Sequence, residues 1–140
     1  MRVTVRFSSQ ATVVSWLIRL FLWSPWSHVE FVTPTGATLG ARLAGGVSVR
    51  GPMSYKRYRD IVIEAPDSTM LAAFRNLGAQ YDALALLAHL FRISLDQSRK
   101  FTCVEFVGAV LRDVGWLKLD SLVRLKPSEL YLVCLNREAV

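Results

Sequence analysis

Only two cysteines and two histidines occur among the 140 residues. Two cysteines make no disulfide scaffold, and with two histidines at these spacings they form no zinc site. No phosphate-binding loop, serine triad or pair of glycosidase carboxylates is present, so neither a metal nor a cofactor is expected. Acidic residues are also scarce, 11 against 17 Lys and Arg, which leaves a formal charge of +6 and a pI near 9.8. Nucleic acid, an anionic wall polymer and anionic lipid would all attract such a chain. The basic residues are scattered, however (Arg2, Arg6, Arg19, Arg50, Lys56, Arg57, Arg59), and match no nucleic-acid reader, so no nucleic-acid partner is expected.

A long hydrophobic run is missing too. The longest uncharged stretch, Phe7 to Ile18, is too short and too polar at its start to span a bilayer. The opening "MRVTVRFSSQATVVSWLIRLFLW" has early arginines, but Arg19 interrupts its apolar part and "SPWSH" offers no cleavage site. The expectation is a soluble protein, cytoplasmic as synthesised, with no export signal of its own. Repeats, low-complexity tracts and linkers are absent, so residues 1–140 are expected to form one domain. With 52% hydrophobic and 20% charged residues, the composition excludes a disordered chain.

Period and punctuation give an order of elements. "VTVRF" (Val3 to Phe7) alternates as a strand. Ser8 and Ser9 are then placed to cap a helix carrying Val13, Trp16, Leu17, Leu20 and Phe21, stopped before Pro25 and expected to lie buried on the sheet. "SHVEFV", a "TPTG" turn and "ATLGARL" read as a hairpin, which "GGVSVRG" continues as a meander. "DIVIEA" (Asp60 to Ala65) is a further strand. Pro66-Asp67-Ser68 opens a helix to about Leu77, broken by Gly78, and Asp82 can cap a second one, "ALALLAHLF", with His89 as an ordinary helical residue. "FTCVEFVGAVLRDVG" predicts a third helix ended by Gly115, and "KPSELYLVCL" a closing turn and strand with Cys134 as a buried apolar group. The sum is an α+β domain built around an antiparallel sheet.

The letters VEFV occur twice, after His28 and after Cys103, and must be read with different periods. Pro34 leaves no room for a helix after His28, so period two sets His28, Glu30 and Val32 on one strand face. A His and a Glu sharing a face predict solvent or a cleft there. After Cys103, apolar Phe106, Val107, Val110 and Leu111 follow the helical period. Thr102 and Glu105 fit a capping box, making Cys103 the first helical residue. Unpaired N–H groups and the helix dipole there favour a thiolate and could hold an oxyanion. A helix-start Cys facing a strand-borne His is the layout of a nucleophile and its general base.

Taken in order, "WSHVEFV", "LGARLAGGVSVR", "LGAQYDALALL", "FTCVEFVGAVLRDVG" and "PSELY" resemble the circularly permuted NlpC-like cysteine peptidases, from about Trp26 to Tyr131. These are a papain-like group related to lecithin–retinol acyltransferase-like proteins, with small members frequent in phages and prophages. The resemblance implies a papain-like antiparallel sheet packed against helices, with the His strand before the Cys helix. It implies Cys103 as nucleophile, His28 as base, and Tyr81-Asp82 near the cleft. Relatives often carry a polar residue, commonly Glu, on the strand after the His strand. Here that slot reads Leu39-Gly40-Ala41, without a carboxylate. Glu30 is the substitute third catalytic residue, with Thr38 or a backbone carbonyl as alternatives. Residues i and i+2 on a strand lie roughly 6.5–7 Å apart, so contact between Glu30 and the imidazole requires a bend.

The function expected from the resemblance is cleavage of an amide in a peptidoglycan stem peptide through a thioester, in a virion-associated or wall-delivered protein. Two alternatives stand beside it. One is acyl transfer or thioester hydrolysis on a lipid, with "WLIRLFLW" in peripheral contact with a membrane. The other is a non-catalytic phage structural or binding module with a degraded triad.

Overall fold

Strand β1 (Arg2–Ser9) sits inside a five-stranded sheet, between β2 (His28–Val32) and β5 (Arg57–Glu64). The computed structural model describes residues 1–10, 12–21, 24–52, 55, 57–82, 100–120, 122 and 125–140. Beyond β2 lie β3 (Thr38–Arg42) and β4 (Gly46–Arg50), giving the order β4-β3-β2-β1-β5 with every pairing antiparallel. The β2–β3 turn closes through the Thr33 amide to Ala37 O at 2.8 Å, with Gly36 at φ +81. That left-handed angle is open to glycine without a Cβ penalty.

Alternation separates the faces of the sheet. Val3, Val5, Phe7, Val29, Phe31, Leu39, Ile61 and Ile63 are buried in the core. On the other face Arg6 stands opposite both Glu30 and Asp60, and Ser8 opposite His28. Helix α1 (Val13–Phe21) follows β1, and α2 (Thr69–Phe74) follows β5. A short parallel pair, β6 (Gln80–Tyr81) with β7 (Lys100–Phe101), leads into α3 (Cys103–Asp113). Phe106 of α3 meets Phe31 edge-on at 6.0 Å, and Val107, Val110 and Leu111 are buried beside it. Each such side chain contributes about 1.5–3 kcal/mol by leaving water.

The α+β class and the antiparallel sheet hold, and α3 starts and stops where the capping box and Gly115 (φ +76) place it. Three expectations are corrected. Ser8 and Ser9 do not cap a helix: β1 continues through both, because β2 offers His28 as a partner to Ser8 and β5 offers Arg57 to Ser9. The Thr12 hydroxyl instead accepts from the Ser15 amide at 3.1 Å. Helix α1 is not simply buried on the sheet, since Trp16 is 55% and Leu20 54% exposed. The C-terminal segment is not a strand but α4 (Pro127–Asn136). Pro127 is preset for a first helical turn, and Glu129 accepts from the Lys126 amide at 2.9 Å. Its Leu130 and Cys134 are buried, and Tyr131 packs edge-on to Phe7 at 5.2 Å. The helix expected over "ALALLAHLF", including His89, lies outside the described residues.

Candidate active site

His28 opens β2 and Cys103 opens α3, and the fold brings the two openings together. The Cys103 sulfur lies 3.9 Å from the carbonyl oxygen of Ser27, the residue before His28, and is near enough to the His28 ring to raise its pKa. Local sequence fixes Cys103. Thr102 Oγ1 accepts from the Glu105 amide at 3.3 Å, while the Glu105 carboxylate accepts from the Thr102 amide at 3.0 Å. Glu105 is thereby accounted for as a cap, and Cys103 is held at the positive end of the helix dipole.

Glu30 orients the histidine. Its Oε2 lies 3.2 Å from His28 Nε2, so the i and i+2 side chains of β2 do meet. A carboxylate only accepts, so Nε2 carries a hydrogen, and Nδ1 is the ring nitrogen left to serve Cys103. Glu30 itself is completely buried, at 0% exposure. Arg42 Nη2 donates to Oε2 at 2.5 Å and the Tyr55 hydroxyl donates to Oε1, so both oxygens are satisfied. Arg42 also donates to Thr38 Oγ1 at 2.7 Å and to Ser48 O at 3.0 Å. Thr38, an alternative orienting group in the sequence, is thus committed to Arg42.

The "LGA" slot acquires a meaning from this geometry. One step along the register from Phe31–Leu39, Gly40 stands opposite Glu30, and a Cβ there would come 2.8 Å from Glu30 Cβ. The space of a side chain at position 40 is occupied by Glu30. The carboxylate beside position 40 comes from the neighbouring strand β2.

Charge follows from these contacts. Burial works against a positive His28, but hydrogen bonds to Cys103 and Glu30, and their negative charge, outweigh it and raise the ring to about 9. Burial also opposes ionisation of Glu30, yet its hydrogen bond to His28, the charge there, Tyr55 and Arg42 hold it below the usual carboxylate range. Tyr55 is pushed up to about 12 by burial and by the carboxylate it serves. Behind it, Arg6 stacks on the rings of Tyr55 (5.5 Å) and Tyr58 (4.6 Å) and forms a two-point pair with Asp60, both contacts 2.7 Å.

His28 and Glu30 face a cleft of about 230 Å³. Thr12, Ser15 and Ile18 of the α1 segment line it, as do Arg42, Leu43 and Arg50. Tyr81 lines the cleft as well, placed there because the Val47 amide donates to Ala79 O at 2.8 Å and ties residues 78–79 to β4. Burial and the nearby Cys103, Glu105 and Asp82 raise the Tyr81 phenol. Asp82, expected beside the cleft, is buried at 2% exposure. Cys134 stays apart in α4, where burial pushes its thiol up to about 12. Among the described residues no three His, Cys, Asp or Glu side chains group as metal ligands, and no helix is long and apolar enough to cross a membrane.

Sequence reasoning missed Arg42 and Tyr55. Arg42 carried a weak signal: it lies on the strand paired with a strand bearing Glu30, and a buried carboxylate needs a counter-charge. Tyr55, between two strands and without periodicity, carried none. No family model matches the chain, and no curated protein matches it in sequence.

Proposed function

We propose that the protein is a cysteine hydrolase of papain-like, permuted NlpC type that cleaves an amide through a thioester intermediate. The observation that carries this reading is the meeting of the Cys103 end of α3 with the His28 end of β2, His28 being joined to Glu30 and Glu30 clamped by Arg42 and Tyr55. With the proton resting on the His28 ring, the Cys103 sulfur attacks the amide carbonyl as a thiolate. The first N–H groups of a helix lack intrahelical partners, and at the start of α3 they are the donors proposed for the developing oxyanion. The tetrahedral intermediate collapses, the C–N bond breaks, and the imidazolium gives its proton to the leaving amine. Water then attacks the thioester with His28 as base, releasing the carboxylic acid and restoring the thiol.

Peptidoglycan stem peptides are the substrate class proposed, and a +6 protein suits an anionic wall. A Cys103→Ala chain that folds as the wild type should lose all release of new amino termini from purified peptidoglycan fragments. Retained release would overturn the reading. A second reading, hydrolysis or transfer of a lipid acyl group, is favoured by one observation: the cleft lining is more apolar than polar. Activity on acyl esters with none on muropeptides would select it.

A further inference from the structure

Charge in the cleft does not cancel. Glu30 is matched by Arg42, whose Nη2 donates to it at 2.5 Å, and His28 is joined to the same carboxylate. Both terminal nitrogens of Arg42 are committed: Nη1 donates to Gly40 O at 3.3 Å and to Ser48 O at 3.0 Å, and Nη2 also to Thr38 Oγ1 at 2.7 Å. Half-buried Arg50 is the second arginine lining this cleft, and among the described residues no carboxylate pairs with it. Its Nη2 donates to the Ala44 carbonyl at 2.6 Å, which steadies the side chain against the β3–β4 turn while occupying one donor of a five-donor fork. Register sets Arg50 on the face of the site. It is the cross-strand partner of Thr38, and the same pairing matches Gly40 with Ser48. Partners share a sheet face, so Arg50 stands on the face that carries Thr38, Arg42 and, against Gly40, Glu30.

We propose that Arg50 is a specificity-determining residue that holds a carboxylate of the substrate, so that the cleft takes acidic peptides in preference to neutral ones. A guanidinium presents a planar fork that matches the two oxygens of a carboxylate, and a half-buried pair is screened less than one on open surface. The carboxylate is the anion a peptide itself brings, as an acidic side chain or a free terminus. Arg42 cannot take this role, because Glu30 already holds it. Naming the ligand as a peptide rests on the hydrolase reading; selection of a carboxylate by Arg50 does not need Cys103.

Calorimetric titration of the Cys103→Ala chain tests this, with a peptidoglycan stem tetrapeptide and the same peptide with its carboxylates converted to amides. The acidic form should bind at least about tenfold more tightly. Adding Arg50→Gln should remove that preference, and Arg50→Lys, which keeps the charge without the fork, should retain only part of it. Arg75→Gln removes one exposed positive charge outside the cleft and should leave the preference unchanged, which separates Arg50 from the general attraction of a +6 chain. Since Arg50 is only half-buried, circular dichroism should show its variants folded; if Arg50→Gln fails to fold, Arg50→Lys decides. The site is overturned if neither peptide binds, if the two bind alike, if a folded Arg50 variant keeps the full preference, or if Arg75→Gln lowers it equally. Hydrolysis undiminished by Cys103→Ala, beside an intact Arg50-dependent preference, would remove the hydrolase and leave the carboxylate site standing.

Discussion

Gly40 and Glu30 share one space: a methyl group on Gly40 would lie 2.8 Å from the Glu30 β-carbon. Glu30 has nowhere to retreat, being fully buried with Arg42 on one oxygen and Tyr55 on the other. A Gly40→Ala chain should therefore lose about 1–3 kcal/mol of stability, as overpacked cores do. Its activity should fall further than its stability, because the displaced group orients His28. Urea unfolding and kcat measured on the same preparation check both; an alanine tolerated in both would show that Glu30 is free to move.

Glu30→Gln keeps the shape and removes the charge. Arg42, only 9% exposed at its side chain, then loses its counter-ion, a change that costs about 3–5 kcal/mol when one partner of a buried pair goes. The neutral amide also removes a negative charge that holds the proton on His28. A fall in kcat of about 10²–10⁴ is expected. Stopped assays on purified peptidoglycan fragments measure it, and a change under threefold would remove Glu30 from the site.

The pH dependence follows from the raised His28. The charged ring is favoured by folding, so its contribution to stability is complete below about 6.5 and is lost as pH rises through about 9. Glu30, held low, contributes in the opposite sense: its stabilisation is present above about 4.5 and disappears as the pH falls through its lowered folded value. The imidazolium that serves as the acid is likewise lost near 9, so kcat/KM should decline on the alkaline side with a midpoint there. A decline centred near 6.5 would mean that Cys103 and Glu30 do not hold the proton on the ring.

The two thiols should separate cleanly by reactivity. Cys103 sits at a helix N-terminus against His28, whereas Cys134 has 0% exposure and a thiol raised to about 12. Brief iodoacetamide treatment at neutral pH should attach one group, on Cys103, as read by peptide mass analysis. His28→Ala should slow that labelling at least about tenfold. Equal labelling of both cysteines would contradict the environments described.

Residues that act within one turn or one strand were legible before any coordinates. Thr102, Cys103 and Glu105 form a capped helix start from four consecutive letters, because a capping box is satisfied by neighbours in the chain. His28 and Glu30 share a strand face because the side-chain period is two. Ser8 and Ser9 misled because a hydroxyl suited to capping does not reveal that two other strands will claim its backbone. The C-terminal "ELYLVCL" misled for a related reason: an apolar run satisfies a strand or a packed helix, and the site offered by Phe7 and Trp26 chose the helix.

The sequence by itself determined the chemical pair, Cys103 and His28, and the local elements that carry them, since both depend on short-range capping and alternation. Only the tertiary structure decided what orients the pair. Gly40 reads as an empty slot until the β2–β3 register places it against Glu30. Arg42 and Tyr55 become its clamps only through contacts 12 and 25 residues distant, whose partners are chosen by packing rather than by spacing.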